Sequence, residues 1–421
     1  MENINNNISV INYHNLPCLL IDDYGVIFSY VNNKFVCVKI PIRDINNNEI
    51  YKKASEHGFF KWIEIGNVEH EDKQLTLSIT ERCNCHCKYC FLDANTTGKV
   101  MTKDTLHAAI DYAFNFYSDH KIIINAFGGE PTTQFELIKE MVKYANSQKE
   151  KYSVTPHFAI TTNGVLSDEI IDFLIINNFD CSVSIDGTEG IQNRQRPLAN
   201  GESSFSQAYH TLQRLTNSGC FVRVRSTVTK FSVSKMVDAV NLFGSIGVKQ
   251  VHFEPVTLAG RAENLPDELL PPTLDDYVSM LIACIEKAKQ YDTHINFSIF
   301  SHCNGSIQNK MIVGASGMIS ACVEVQNHQH SLSSIFCMGS IENAKVNITK
   351  NNIKDTLFDN PSIQEKCKRC PYLLFCANSC PVRNYRATNN IWHTEPFKCE
   401  LYHRIMPYIL NEFYRSTYDL E

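Results

Sequence analysis

The chain has 421 residues, 43% of them apolar, and a formal net charge of −6. That length suffices for two or three domains with a sizeable core, and the mild acidity removes any global electrostatic pull toward nucleic acid or an anionic membrane. The opening stretch MENINNNISVINYH carries neither Lys nor Arg nor an apolar run of signal-peptide length, and no apolar run approaches the roughly 20 residues of a spanning helix. The expected location is therefore the cytoplasm, with no membrane partner. Seventeen cysteines, an odd number without an export signal, fit a disulfide framework poorly and point to metal ligation.

Residues 1–72 read as a small appended α+β domain. Two β-like runs, Cys18 to Ile21 and Phe35 to Ile40, are joined through turn-prone Asp22-Asp23-Tyr24-Gly25 and Asn32-Asn33, and a helix is expected from Glu49 to Trp62. From residue 73 to about 296 the pattern alternates between strand and helix. Strands are expected at Leu75–Ile79, Ile122–Ala126, His157–Ile160, Cys181–Ile185, Phe221–Arg225 and Val251–Glu254. Amphipathic helices are expected at Leu106–Phe116, Phe135–Tyr144, Glu169–Ile175, Phe205–Leu215, Met236–Phe243 and Asp275–Lys287. Six such units imply parallel strands covered by helices, as an open doubly wound sheet or a full or partial barrel, with the site at the strands' C-terminal ends. Residues 297–421 are Cys-rich and short of long periodic runs, as expected where ligand bonds replace part of a core.

Directly after the first core strand stands Thr80-Glu-Arg-Cys83-Asn-Cys85-His-Cys87-Lys-Tyr-Cys90. Three thiolates at intervals of four and three residues can wrap one side of a cubane and leave its fourth iron open to a small ligand, whereas a fully ligated cluster mainly transfers electrons. A zinc site built from Cys83, Cys85, His86, Cys87 and Cys90 is the competing reading, but such crowded ligands suit a tetrahedral ion poorly. After the second strand, Gly128-Gly129-Glu130-Pro131 combines close backbone approach with a carboxylate able to meet an ammonium group. Thr162-Asn163-Gly164 and Ser184-Ile185-Asp186-Gly187 end the third and fourth strands, where Asn-Gly and Asp-Gly also make ordinary turns. Arg223 and Arg225 alternate with valines and so share one face of the fifth strand.

The Cys83-x3-Cys87-x2-Cys90 loop after the first strand of a βα array resembles the radical S-adenosylmethionine superfamily, over about residues 73–260. The resemblance implies a partial (β/α)6 barrel, a 4Fe-4S cluster on Cys83, Cys87 and Cys90, and S-adenosylmethionine chelated at the open iron. It further implies that Tyr89 is the aromatic residue preceding the last cysteine and that Gly128, Gly129, Glu130 and Pro131 hold the methionine amino group. Thr162, Asn163, Ser184 and Asp186 would line the nucleoside and carboxylate. Arg196 sits where related maturases carry an arginine after a His-Asp pair, although Gln192-Asn193 stands there in this chain. Cys85 is an addition to the pattern and is read as a non-ligand.

Near the C-terminus, Cys367-x2-Cys370-x5-Cys376-x3-Cys380 followed by Cys399 resembles the SPASM extension of radical enzymes that modify peptides and proteins. Five cysteines exceed one four-ligand site, so two auxiliary clusters are implied. By resemblance the farther one takes Cys367, Cys370, Cys376 and Cys399, and the nearer one Cys322, Cys337 and Cys380. Relatives carry a further cysteine where Ser316 stands here, and Cys303 is the candidate fourth ligand. A zinc ribbon is the competing reading for this region. Cys18, Cys37, Cys181, Cys220 and Cys284 read as small buried hydrophobes.

The resemblance implies an enzyme that reduces S-adenosylmethionine to methionine and a 5'-deoxyadenosyl radical, a first step that requires no side-chain acid or base. The favoured expectation is a maturase forming a thioether or carbon-carbon crosslink in a ribosomally made precursor peptide, supplied with electrons by a flavodoxin- or ferredoxin-type reductant. Residues 1–72 would offer a strand edge to the leader peptide or serve as a cap. The alternatives are a sulfatase-maturing enzyme that makes formylglycine and a non-catalytic electron carrier. Sulfatase-maturing relatives often carry an acid where Met338 stands.

Overall fold

The computed structural model describes residues 9–13, 16–21, 23–31, 34–41, 73–297, 303, 307–353, 357, 365–376 and 379–417. The chain divides into two compact units, Met1–Glu69 with Ile299–Asn304 and Lys354–Glu421, and His70–Ser298 with Gly305–Ile353. The helix expected at Glu49 to Trp62 lies outside the described residues.

In the first unit β1 (Ser9–Tyr13), β2 (Leu16–Ile21), β3 (Tyr24–Val31) and β4 (Lys34–Pro41) form an antiparallel sheet in that order. Ile21 lies opposite Tyr24 and Val31 opposite Lys34, two-residue spacings typical of hairpins. Cys18, Leu19, Val26, Ile27, Phe28 and Ile40 are buried. Tyr24 and Gly25 belong to β3 and not to a turn, so the sheet has two strands more than the sequence pattern announces. The long helix Pro396–Thr417 sets Phe413 edge-on against Phe28, with ring centroids 6.3 Å apart.

In the second unit β5 (Lys73–Thr80), β6 (Lys121–Gly128), β7 (Thr155–Thr162), β8 (Asp180–Ser184), β9 (Val222–Val228), β10 (Gln250–Pro255) and β11 (His294–Asn296) pair in parallel, each beside its predecessor. β12 (Lys310–Val313) pairs in parallel with the other edge of β5. β13 (Met318–Ser320), β14 (Cys337–Glu342) and β15 (Lys345–Ile348) extend that edge antiparallel. Right-handed crossovers that always advance in one direction place the helices on one face. From β5 to β11 the order is linear, without the reversal that a doubly wound sheet requires, and with β12 beyond β5 the sheet stays unclosed, as in a partial barrel.

Burial follows from this. Along β6, Ile122, Ile124 and Ala126 are buried, while Ile123, Asn125 and Phe127 are half-exposed. Helix Lys103–Phe116 buries Leu106, Ala109, Ile110, Ala113 and Phe114, one stripe at helical spacing, and starts where the Thr102 side chain accepts the Thr105 N–H. All six expected strands and six expected helices are present. The half-exposed face carries Arg223, and Arg225 is exposed on the same side. Ile124→Ala, on the helix-covered face, is expected to cost about 2–5 kcal/mol and Ile123→Ala less than half of that, as read from thermal unfolding of the full chain.

Candidate functional site

The cysteine loop leaves the C-terminal end of β5 and is tied down along its length. The Cys83 N–H donates to Asn95 O (2.6 Å), the His86 N–H to Pro197 O (2.7 Å) and the Lys88 N–H to Gln195 O (2.9 Å). From across the loop Arg261 donates its guanidinium N–H groups to Cys87 O (2.7 Å), Ala94 O (2.6 Å) and the Asp93 carboxylate (3.1 Å). Its own backbone N–H reaches Cys90 O (3.0 Å). Gly260 makes this clamp possible: it has φ +57°, and a Cβ there would lie 2.5 Å from Phe91 O. No sequence motif announces Arg261.

Cys83 and Cys85 are buried with Ala94, and Cys87 and Cys90 pack against that cluster. Burial pushes the Cys83 thiol up to about 12. It also pushes Cys87 up to about 11, partly opposed by the guanidinium groups of Arg196 and Arg261. Such thiols stay protonated at neutral pH until a metal displaces the proton, and an all-sulfur donor set selects zinc or iron-sulfur. Among the described residues, no group of three or more His, Cys, Asp or Glu is set to hold a single metal ion. Thiolates that each bind a different iron of a cubane need not converge on one point, so the all-thiol donor set of the loop is compatible with a cluster.

Gly128 and Gly129 run directly beneath the start of this loop. The Gly129 N–H donates to Thr80 O and the Glu130 N–H to Arg82 O, both at 2.8 Å. A Cβ on Gly128, whose φ is +134°, would sit 2.2 Å from Thr80 O, and one on Gly129 2.3 Å from Arg82 O. Pro131 is buried and opens a short 3-10 turn. Glu130 is fully buried: its Oε1 accepts the Thr132 N–H (3.2 Å), the Thr132 hydroxyl (2.7 Å) and the Thr162 hydroxyl (2.9 Å), and its Oε2 accepts the Asn163 N–H (2.7 Å). Burial raises its pKa against the lowering effect of these donors. The carboxylate thus braces the ends of β6 and β7, a role the sequence does not reveal, and of its roughly four acceptor directions only one on Oε2 is left over. Asn163 Nδ2 donates to Asn84 Oδ1 (2.7 Å) and lies 3.8 Å from Cys83 Sγ.

Beyond β8, half-exposed Ser184 precedes a second buried carboxylate. Asp186 Oδ1 accepts Arg196 Nε–H (3.0 Å) and the Thr227 N–H (2.9 Å), and Oδ2 accepts Gln195 Nε2–H (2.6 Å) and the Tyr89 hydroxyl. All its acceptor directions are filled from within, so it organises the site instead of facing a ligand. Arg196 lies over the Tyr89 ring, 5.2 Å from its centroid, with Nη1 3.9 Å from Cys87 Sγ. The departure at Gln192-Asn193 is structural. Gln192 Oε1 accepts the Asp186 N–H (2.9 Å), and Asn193 Oδ1 accepts the Ser204 and Phe205 N–H groups (3.1 Å each), at the start of helix Phe205–Asn217.

In the other unit Cys367, Cys370, Cys376 and Cys399 line one cavity together with Tyr372, Leu373, Thr394, Tyr402 and His403. These are the four cysteines that the SPASM resemblance assigns to the farther cluster. His403 Nε2 lies 3.6 Å from Cys370 Sγ, and Thr394 Oγ1 3.9 Å from Cys367 Sγ. His403 stands one helical turn after Cys399 on helix Pro396–Thr417, a spacing visible in the sequence but not singled out. Burial raises Cys376 to about 12. Cys322 lies two residues beyond Ser320, which pairs with Cys337 across β13 and β14. Cys380 and Cys303 belong to the first unit. Cys18, Cys181 and Cys284 are buried, but Cys37 and Cys220 are half-exposed, so the buried-hydrophobe reading fails for those two.

The model of the Radical SAM superfamily matches residues 77–243. Among curated relatives, the uncharacterized protein MJ0907 of Methanocaldococcus jannaschii is 32% identical over 183 residues, which are 43% of this chain and 62% of that protein. The chain thus spans less than two-thirds of this relative. The cysteine-type anaerobic sulfatase-maturating enzyme of Clostridium novyi is 21% identical over 327 residues, 72% of this chain and 85% of that enzyme. In fold the chain is similar to native anSMEcpe with bound AdoMet, with a TM-score of 0.69 at 18% identity, covering 83% of this chain and 100% of that one. It is also similar to Streptococcus suis SuiB bound to precursor peptide SuiA, with a TM-score of 0.53 at 13% identity, covering 93% and 100%. Among the described residues no helix is long and apolar enough to cross a membrane.

Cys85→Ser is expected to leave iron content and visible absorbance unchanged, whereas Cys87→Ala removes about four irons per chain. Iron analysis of anaerobically prepared protein distinguishes the two.

Proposed function

We propose, on the premise that residues 77–243 are a radical SAM domain, that this protein is a maturase that abstracts hydrogen from a ribosomally made precursor peptide and closes a thioether or carbon-carbon crosslink. The observation that supports the reading is the clamped loop at the end of β5, which gathers Cys83, Cys87 and Cys90 in one cluster of side chains. Cys83, Cys87 and Cys90 would hold a 4Fe-4S cluster. When bound, it supplies the electron that splits S-adenosylmethionine into methionine and a 5'-deoxyadenosyl radical.

The chain's own residues supply place and shelter. Gly128 and Gly129 let the backbone pass close under the loop, and Ser184, Thr162 and Asn163 end strands beside it, where the nucleoside and carboxylate of S-adenosylmethionine would lie. Arg223 and Arg225 face the side of the sheet left free of helices, the side on which a peptide would be held near the radical. The four-cysteine cavity would hold an auxiliary cluster that accepts the second electron. A flavodoxin- or ferredoxin-type protein in the cytoplasm would be the electron donor. Outer strand β1 offers an edge to which a leader peptide adds a strand. Support for a peptide substrate comes from the fold shared with SuiB, whose structure contains precursor peptide SuiA.

A second reading, oxidation of a sulfatase cysteine or serine to formylglycine, is favoured by the extent of the match to the Clostridium novyi enzyme. Against it, the position after Cys337 holds buried Met338, which has no proton to exchange.

Reduced protein with S-adenosylmethionine is expected to release 5'-deoxyadenosine, and Cys87→Ala to release none. Mass spectrometry of a peptide encoded beside the chain separates the readings: crosslinking removes hydrogen and leaves no carbonyl, whereas formylglycine formation, which replaces sulfur and two hydrogens by oxygen at cysteine or removes two hydrogens at serine, leaves an aldehyde that hydroxylamine traps. Proline at Val10 and Ile11 in β1 is expected to abolish leader binding, and unchanged affinity would refute the strand-addition idea.

A further inference from the structure

Arg196 is held more completely than a ligand-binding arginine requires. Its side chain is 11% exposed and that of its partner Asp186 fully buried. Nε–H is spent on Asp186 Oδ1 (3.0 Å), Nη2 lies 3.5 Å from Thr227 Oγ1, and one face covers the Tyr89 ring, whose hydroxyl bonds the same Asp186. Asp186 is fixed in turn by Gln195 and by the backbone of Thr227. With these directions committed, Nη1 is left aimed at Cys87 Sγ at 3.9 Å, within reach of an N–H···S hydrogen bond. The buried pair is therefore an oriented dipole with its positive end on a ligand sulfur and its negative end turned away.

We propose that Arg196 is a positioning residue that sets the reduction potential of the cluster held by Cys83, Cys87 and Cys90, through a charge-assisted hydrogen bond to the Cys87 thiolate. Reduction adds negative charge to the sulfur-rich site, so a fixed cation donating to one sulfur stabilises the reduced form more than the oxidised one. Asp186 sets how much of that cation the sulfur feels. The inference rests on the reading of the three cysteines as cluster ligands. That reading has its own check in the wild-type protein, where the cluster's paramagnetic signal must change on adding S-adenosylmethionine.

The experiment is a redox titration of that S-adenosylmethionine-sensitive signal in the full-length, anaerobically reconstituted protein, with iron content measured alongside. Arg196→Gln is expected to lower the equilibrium constant for reduction about tenfold, or about 59 mV for one electron, while Arg196→Lys keeps most of the wild-type value. Asp186→Asn is expected to shift the midpoint upward, because it uncovers the cation. A purely structural role would lower cluster content in both variants and leave the midpoint of the remaining cluster where it was. Unchanged midpoints in Arg196→Gln and Asp186→Asn, or shifts of the same sign in both, overturn the proposal. If Arg196→Gln fails to retain the cluster, Asp186→Asn alone decides by the sign of its shift.

Discussion

The second unit depends on a place where no side chain fits. Gly128 and Gly129 pass so close to Thr80 and Arg82 that any Cβ would collide with a carbonyl oxygen. That proximity lets two backbone hydrogen bonds stitch the end of β6 to the first residues of the cysteine loop. A loop carrying several thiols has little hydrophobic content of its own to define its shape. Here its path is dictated from outside, by the glycines beneath it, by the backbone around Pro197 and by Arg261 across it. Backbone contacts of this kind tolerate no bulk, but they leave the side chains of the loop free for ligation.

Two buried carboxylates complete the frame: Asp186 is filled from within, and Glu130 keeps a single acceptor direction open on Oε2. Glu130 ties β6 to β7, and Asp186 ties the end of β8 to β9, to helix Glu189–Gln195 and to the loop through Tyr89. Burying an ionised carboxylate is costly unless its lone pairs are filled, and each of these collects four donors. The result is a rigid floor made of polar groups that bind one another and so shape a pocket more than they line it.

Much of this was legible in the sequence. The six strands and six helices followed from periods of 2 and 3.6, because each buries one face, and the cysteine triplet was recognisable by interval alone. β3 was missed because Tyr24-Gly25 reads as a turn when isolated, yet Gly25 sits opposite Leu20 and Ile40 in a paired sheet, and β1 is only five residues long. β12 to β15 are three to six residues long, too brief for a period to declare itself. At the site, the family resemblance singled out Glu130, Asp186 and Arg196 but not their use. Which donor fills which acceptor depends on partners such as Thr227, which lies 41 residues after Asp186. Arg261 carried no signal because a guanidinium that binds backbone carbonyls needs no matching residue type, whereas His403 could have been found from its helical offset to Cys399.

Helix Pro396–Thr417 brings two remote parts of the first unit under one constraint. Near its start it supplies Cys399 to the four-thiol cavity, and about 21 Å farther along its axis Phe413 rests against Phe28 of the N-terminal sheet. A single rod carries both, so any coupling between occupancy of the cavity and the seat of the sheet would have to run along this one helix.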